Sequence, residues 1–304
     1  ADLSCAHRLA TMGHDVTVFE ARPKAGGLNE YGIAAYKMPD DFARREVDFI
    51  LSVGGITLEC GRALGVDLRL ADLRRDFDAV FLGLGHNAVN ALGVEGEELQ
   101  GVVPAVDFIA DLRQAADKSA VAVGRRVVVI GGGNTAIDVA TQCRRLGAED
   151  VTIVYRRGRE HMSATRAEQE WAQTNGVRIK YWAQPRRLLG WQGRVREAEF
   201  EYTRTDDAGC LMGTGETFTL LADQVFKAIG QHFLPSPFAA DASELLALER
   251  GRIAVNEDRE TSLPGVYAGG DCIAGQDRTV SAVQDGKQAA IAIDRMLGGR
   301  LAAE

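Results

Sequence analysis

The chain has 304 residues, 46% of them hydrophobic and 26% charged, enough to build two ordinary folded domains and unlike a disordered or fibrous polymer. With 35 basic residues against 43 acidic ones the formal charge is -8, which argues against a broad nucleic-acid footprint and for a small-molecule or protein partner. Five scattered cysteines without a C-x-x-C pair give no zinc site, dithiol centre or iron–sulfur run, and no apolar run reaches the roughly 18 residues of a membrane span. Reduced thiols and the absence of a basic-then-apolar leader pattern fit a cytoplasmic protein.

In chain order, Leu3, Ala6, Leu9 and Ala10 recur at helical spacing, Gly13 ends that run, and DVTVFEA alternates as a strand closing on Glu20. ARREVDFILSVGGITLECG reads as a helix and then a strand, and FDAVFLGLG as a buried strand ending in glycines. A second unit follows in mid-chain: the strand RRVVVI, the turn GGGNTA, the helix IDVATQCRRLG and the strand DVTIVY, ending at Arg156. VFKAIGQ then repeats the strand-to-glycine pattern, and LPGVYAGGDC leads into the apolar helix VSAVQDGKQAAIAIDRML. Alternating strands and helices predict parallel sheets with both faces covered.

Gly131, Gly132, Gly133, Asn134, Thr135 and Ala136 match G-x-G-x-x-G/A between an apolar strand and a helix, the context that makes this pattern informative. Gly131 permits the tight turn, Gly133 the close approach of a pyrophosphate, and the small Ala136 the packing of helix on strand. The free N–H groups of the helix start then bind phosphate. At the end of the next strand, where an acidic residue would hold a ribose 2′-hydroxyl, stand Arg156 and Arg157, with Arg159 close behind. That cluster suits the 2′-phosphate of NADP(H); as a merely solvated basic turn it would leave NAD(H) equally acceptable.

Glu20 closes its strand where a carboxylate accepts hydrogen bonds from an adenosine ribose, so the first unit reads as a second dinucleotide site. Gly26 and Gly27, followed by Leu28, would let backbone approach a flat ring. Much later VYAGGD brings Gly270 and Asp271 to a strand end, ahead of a helix starting near Thr279 and Val280, and Gly230 ends the FKAIG crossing.

With these residues the chain resembles the two-dinucleotide-binding-domain flavoproteins. The resemblance implies an α/β fold of two Rossmann-like domains, the NAD(P) domain inserted in the FAD domain, with FAD parts at 1–95 and 233–304 and the NAD(P) part at 96–232. It implies that Asp271 binds the flavin ribityl chain and that the helix from Thr279 points its N-terminus at the flavin. Within this family, GGLNEYGIAAYKMPDDFARREVDF, YRRGREHMSATRAEQE and AGGDCIAGQDRTVSAVQDGKQAA are similar to the electron-input subunit of bacterial dihydropyrimidine dehydrogenase and, more distantly, to the glutamate synthase small subunit. Either resemblance implies FAD and NADP(H) or NAD(H) as cofactors and hydride transfer between nicotinamide and flavin. Electrons would then pass through iron–sulfur clusters to a partner, an FMN-containing pyrimidine-reducing subunit in the first case and the glutamate synthase large subunit in the second.

Such chemistry needs no catalytic side chain and no metal ligands in this chain, and none is visible: the five histidines lack ligand spacing and no Ser-His-Asp set exists. The missing C-x-x-C counts against thioredoxin reductase. A strand, a glycine loop and a cysteine-rich cluster domain are expected ahead of Ala1. Counting back from Glu20 puts Asp2 at the third glycine of the flavin fingerprint, where a carboxylate is expected to crowd the helix–strand packing and repel a pyrophosphate. The alternative outside enzymology is a flavin-free binding or assembly module.

Overall fold

The computed structural model describes residues 1–39, 41–235 and 246–298, which fall into two compact units. The first comprises Ala1–Gly26, Asp41–Ala88 and Gln231–Glu304, the second Gly27–Asp40 and Val89–Gly230.

The second unit is organised on a five-stranded parallel sheet in the order Val102–Pro104, Gln224–Lys227, Arg126–Ile130, Asp150–Val154, Arg178–Lys180. The central strand reads as an unbroken apolar run because both its faces are buried. Val127 and Val129 pack with Ile137, Val139, Phe108 and Phe226 under the helices, while Val128 and Ile130 pack with Leu188, Ala198 and Phe200 on the other side. Fully burying side chains such as Phe226, Phe200 and Ile137 contributes about 1.5–3 kcal/mol each.

The second face is not covered by helices. A three-stranded antiparallel sheet lies on it, with Arg194–Thr205 between Ala183–Trp191 and Leu211–Leu221. The residues 183–221 alternate weakly, since one side of this sheet is solvated and their charged side chains mask the period of two.

The segment beginning at Gly27 also packs in the second unit. Its short helix Gly27–Tyr31 meets the helix Ala105–Gln114, where Gln114 Nε2 donates to Glu30 Oε1 (2.9 Å) and Arg113 Nη1 to the Ile33 carbonyl (2.8 Å). Farther along, Lys37 Nζ pairs with Asp138 and Glu168, both at 2.8 Å, and the Tyr36 hydroxyl donates to Asp138 at 2.7 Å. Burial alone would lower the Lys37 pKa, but the two carboxylates outweigh it and hold the ammonium above its usual range.

In the first unit two parallel pairs form, Val16–Glu20 with Ile56–Cys60 and Val80–Leu82 with Val266–Ala268, and Leu248–Glu249 pairs antiparallel with Arg252–Ile253. The helices Asp2–Thr11 and Thr279–Met296 pack through Cys5, Leu9, Ala289 and Ile293. Gly286 permits that close crossing, since a methyl there would run into the Ala1 carbonyl. Cys272 is fully buried and its thiol is pushed up to about 11, chiefly by desolvation, as expected of a small core residue.

Candidate cofactor site

In the second unit the strand Arg126–Ile130 delivers the chain to a turn that only glycine can make. Gly131 has φ +147° and its N–H donates to the Val154 carbonyl (3.1 Å); a side chain there would strike the carbonyl of Ala228. At Gly132 a methyl would run into the Tyr155 ring, and at Gly133 it would come within 3.2 Å of Ser163 Oγ. Gly133 caps the helix Asn134–Arg145 without any side-chain capping bond, so the amides of Asn134 and Thr135 remain available to an anion. Ala136 is fully buried against the sheet. Backbone free of side chains, uncapped amides and a tight helix–strand contact therefore meet at one point, and this arrangement fits a dinucleotide pyrophosphate.

Tyr155 and Ser163 belong to this cradle although the motif does not contain them. The loop that carries Ser163 is tied to the turn by the Ala164 N–H, which donates to the Gly132 carbonyl (3.1 Å), and by the Tyr155 hydroxyl, which donates to the His161 carbonyl (2.7 Å). No sequence signal points to either residue, because their proximity depends on how the chain returns after the second strand.

The arginines behind that strand divide by their partners. Arg159 pairs with Glu170 (3.3 Å) and reaches Gln169 Oε1 (3.3 Å). The exposed Arg156 and half-exposed Arg157 have no side-chain partner among the described residues. His161 is exposed, sits 2.9 Å from Glu160 and presents its ring edge-on to Trp182. Gly230 takes φ +91° and lies against Asn90, 3.2 Å from where a methyl would sit.

In the first unit Glu20 ends its strand half-buried, with Oε1 accepting the Arg22 N–H at 2.8 Å; desolvation raises its pKa. Gly26, with φ +126°, closes the segment that follows. Gly270, φ +77°, opens the turn that carries Asp271, and its N–H donates to Asp285 Oδ2 (3.0 Å), itself held by Arg259 (2.8 Å). Burial and then the neighbouring Asp277 raise the Asp271 pKa. The helix Thr279–Met296 begins without a side-chain cap, and Val280 at its first turn is 80% exposed. Gly27 and Leu28 belong to the second unit, on the helix Gly27–Tyr31, with Leu28 55% exposed.

Asp2 stands at the first turn of its helix with its carboxyl against Gly83, in space that any other residue at 83 would fill. The lack of a Cβ at Gly83 thus relieves the crowding expected of a carboxylate at this position. The group is nevertheless buried, its Oδ1 has no hydrogen-bond partner among the described residues, and desolvation raises its pKa. An ion buried without partners is costly, so this site favours the neutral acid.

Comparison with known proteins places these features in a family. The family model "Pyridine nucleotide-disulphide oxidoreductase" matches residues 1–286. The chain is 37% identical over 98% of its length to the NADP(+)-dependent formate dehydrogenase subunit beta of Moorella thermoacetica, covering 42% of that protein. It is 34% identical over 95% of its length to the glutamate synthase [NADPH] small chain of Escherichia coli, covering 65% of it. It therefore spans 42% and 65% of the length of these two curated relatives. Among solved structures, FprA from Mycobacterium tuberculosis superposes with a TM-score of 0.79 at 20% identity, over 97% of this chain and 82% of that one. Thioredoxin reductase of T. acidophilum gives 0.73 at 23% identity, over 97% and 94%. These likenesses establish the two-dinucleotide-binding-domain flavoprotein fold, and the chain belongs to the pyridine nucleotide-disulphide oxidoreductase family of flavin-dependent NAD(P) oxidoreductases.

Proposed function

We propose that this chain is the nicotinamide- and flavin-binding module of an electron-transfer enzyme, taking NADPH in preference to NADH and passing its electrons to a partner subunit. The two cofactors, when bound, supply the hydride exchange; the protein's task is to hold and orient them. In this reading the amides at Gly133, Asn134 and Thr135 bind the NADP(H) pyrophosphate, Gly131, Gly132 and Ala136 keep the approach open, and Arg156 and Arg157 bind the 2′-phosphate. Glu20 accepts from the FAD adenosine ribose, Gly26, Gly27 and Leu28 line the path of the flavin ring, and Gly230 marks the crossing between the two halves. Asp271 takes the ribityl chain, and the uncapped helix start at Thr279 and Val280 stabilises negative charge on the reduced ring.

The observation that carries the cofactor preference is the pair of unpartnered guanidinium groups at Arg156 and Arg157, behind a glycine cradle with no acidic residue at the strand end. A charge-assisted bond contributes about 1.5–3 kcal/mol, or roughly 10- to 100-fold in affinity. Arg156→Glu combined with Arg157→Ala is expected to raise the KM for NADPH by about that factor and to leave the KM for NADH nearly unchanged, measured by ferricyanide reduction with the flavin-loaded protein. Equal effects on both cofactors would overturn the assignment.

The acceptor follows from the sequence resemblance: an FMN-containing pyrimidine-reducing subunit, with clusters ahead of this chain or in the partner relaying the electrons. The 34% identity to a glutamate synthase small chain supports the alternative of a glutamine-using large subunit. Affinity purification of the full-length protein separates them by which subunit comes with it. A protein that binds NADPH but takes up no flavin would instead be a binding or assembly module.

A further inference from the structure

The antiparallel sheet at residues 183–221 has no place in the reading so far, yet it grips the turn that carries the two free arginines. Thr203, 5% exposed near the end of its strand, donates from Oγ1 to the Arg156 carbonyl at 2.7 Å. The Trp182 N–H donates to the Arg157 carbonyl at 3.2 Å, and Thr203 N–H donates in turn to the Trp182 carbonyl at 2.9 Å. One residue to either side, the Ala183 N–H donates to the Tyr155 carbonyl at 3.1 Å and the Tyr155 N–H to the Lys180 carbonyl at 2.9 Å. Three consecutive carbonyls, those of Tyr155, Arg156 and Arg157, are thereby held by Ala183 and Thr203 of the antiparallel sheet and by Trp182 just ahead of it.

Trp182 makes its part of this connection in the left-handed region, φ +57°, which is unfavourable for a bulky side chain. In that conformation its N–H meets Arg157 while its carbonyl receives Thr203. Strain of this kind persists where the surroundings over-determine it, and here they are the turn on one side and Thr203 on the other. With the backbone fixed, the side chains of Arg156 and Arg157 lose only their own rotamer freedom on meeting a phosphate, so less is lost on binding.

We propose that Thr203 and Trp182 form a latch through which the antiparallel sheet positions Arg156 and Arg157 for the 2′-phosphate of NADP(H), making Thr203 a positioning residue for cofactor selectivity. The inference rests on the proposed role of the two arginines. Thr203→Val keeps the volume and removes the hydroxyl, so the Arg156 carbonyl loses its donor while the sheet keeps its packing. In the full-length protein, titrated with each reduced dinucleotide and followed by cofactor fluorescence, Thr203→Val is expected to weaken NADPH binding about 3- to 10-fold and to leave NADH binding unchanged. Thr203→Ser, which restores a hydroxyl, is expected to recover NADPH affinity. Adding Thr203→Val to Arg156→Ala/Arg157→Ala is expected to have no further effect on NADPH.

An unchanged NADPH affinity in Thr203→Val, or an equal loss for both dinucleotides, would overturn the latch while leaving the arginine assignment intact. Failure of Arg156→Ala/Arg157→Ala to weaken NADPH at all would remove the assignment and the latch together. If Thr203→Val does not fold, Thr203→Ser decides: a loss of NADPH affinity despite the hydroxyl overturns the proposal.

Discussion

The two units share a helix followed by a strand, Asp2–Thr11 with Val16–Glu20 in the first and Asn134–Arg145 with Asp150–Val154 in the second, yet the first turns of the two helices are packed differently. In the second unit the residue after the glycine turn that must pack on the sheet is Ala136, fully buried and apolar. In the first it is the half-buried Asp2, whose buried carboxyl oxygen Oδ1 has no hydrogen-bond partner among the described residues and is accommodated by Gly83 opposite. One motif tolerates a substitution only where its neighbour gives way. The comparison teaches that this position requires space, which can be met at either side of the helix–strand contact, and that space alone does not supply a hydrogen-bond partner.

The comparison breaks first at Gly131. Gly131→Ala puts a methyl into the Ala228 carbonyl at a φ of +147°, and is expected to reduce NADPH affinity by more than about 100-fold and lower the melting temperature, measured by fluorescence titration and calorimetry. Retained affinity would show that the cradle does not bind the dinucleotide. Next, Ala136→Asp transplants the feature of the first unit into the second. Without a matching glycine opposite, it is expected to weaken NADPH binding by about 30-fold and to destabilise the fold by several kcal/mol, since it both overpacks the contact and buries a carboxyl.

The reverse exchange sharpens the same point. Asp2→Gly is expected to tighten FAD binding by about tenfold, the effect of clearing a carboxyl from beside a diphosphate, and flavin fluorescence quenching reads it directly. Indifference of FAD to this change would mean that the Asp2 carboxyl and the flavin phosphates do not meet.

The smallest expected effect is on pH dependence. Burial raises the Asp2 pKa above its ordinary value of 3.8, so between that value and its folded pKa the native state holds more protons than the unfolded chain. Stability contributed by the neutral acid is therefore complete below pH 3.8 and falls as pH rises through the folded pKa. Urea midpoints should decline more steeply from pH 3.8 upward for the wild type than for Asp2→Asn. Parallel curves would show that Asp2 ionises as freely in the folded protein as in the unfolded one.

Much of this was legible in the chain itself. Motifs that depend on local backbone geometry showed directly: the glycine turn before Asn134, the helix beginning at Thr279, and the strand ending on Glu20 all appear where their spacing put them. Arg156 and Arg157 were visible as a charge cluster, but that Arg159 is occupied by Glu170 and Gln169 was not, since those partners come from a helix whose return angle no local pattern encodes. The packing of Gly27 and Leu28 in the second unit was equally hidden, because their helix is held by Gln114 meeting Glu30 and Arg113 meeting Ile33, about 80 positions apart.

By itself, then, the sequence determined the alternation of strand and helix, the place where a dinucleotide's phosphates can approach, and the chemistry available at the strand ends, because these follow from periodicity, glycine's freedom and charge over a few residues. Only the tertiary structure decided which arginines are free, which residue makes room for Asp2, and what holds the arginine turn in place. Each of these is a contact between distant segments, and it exists only once the sheets that carry those segments have packed.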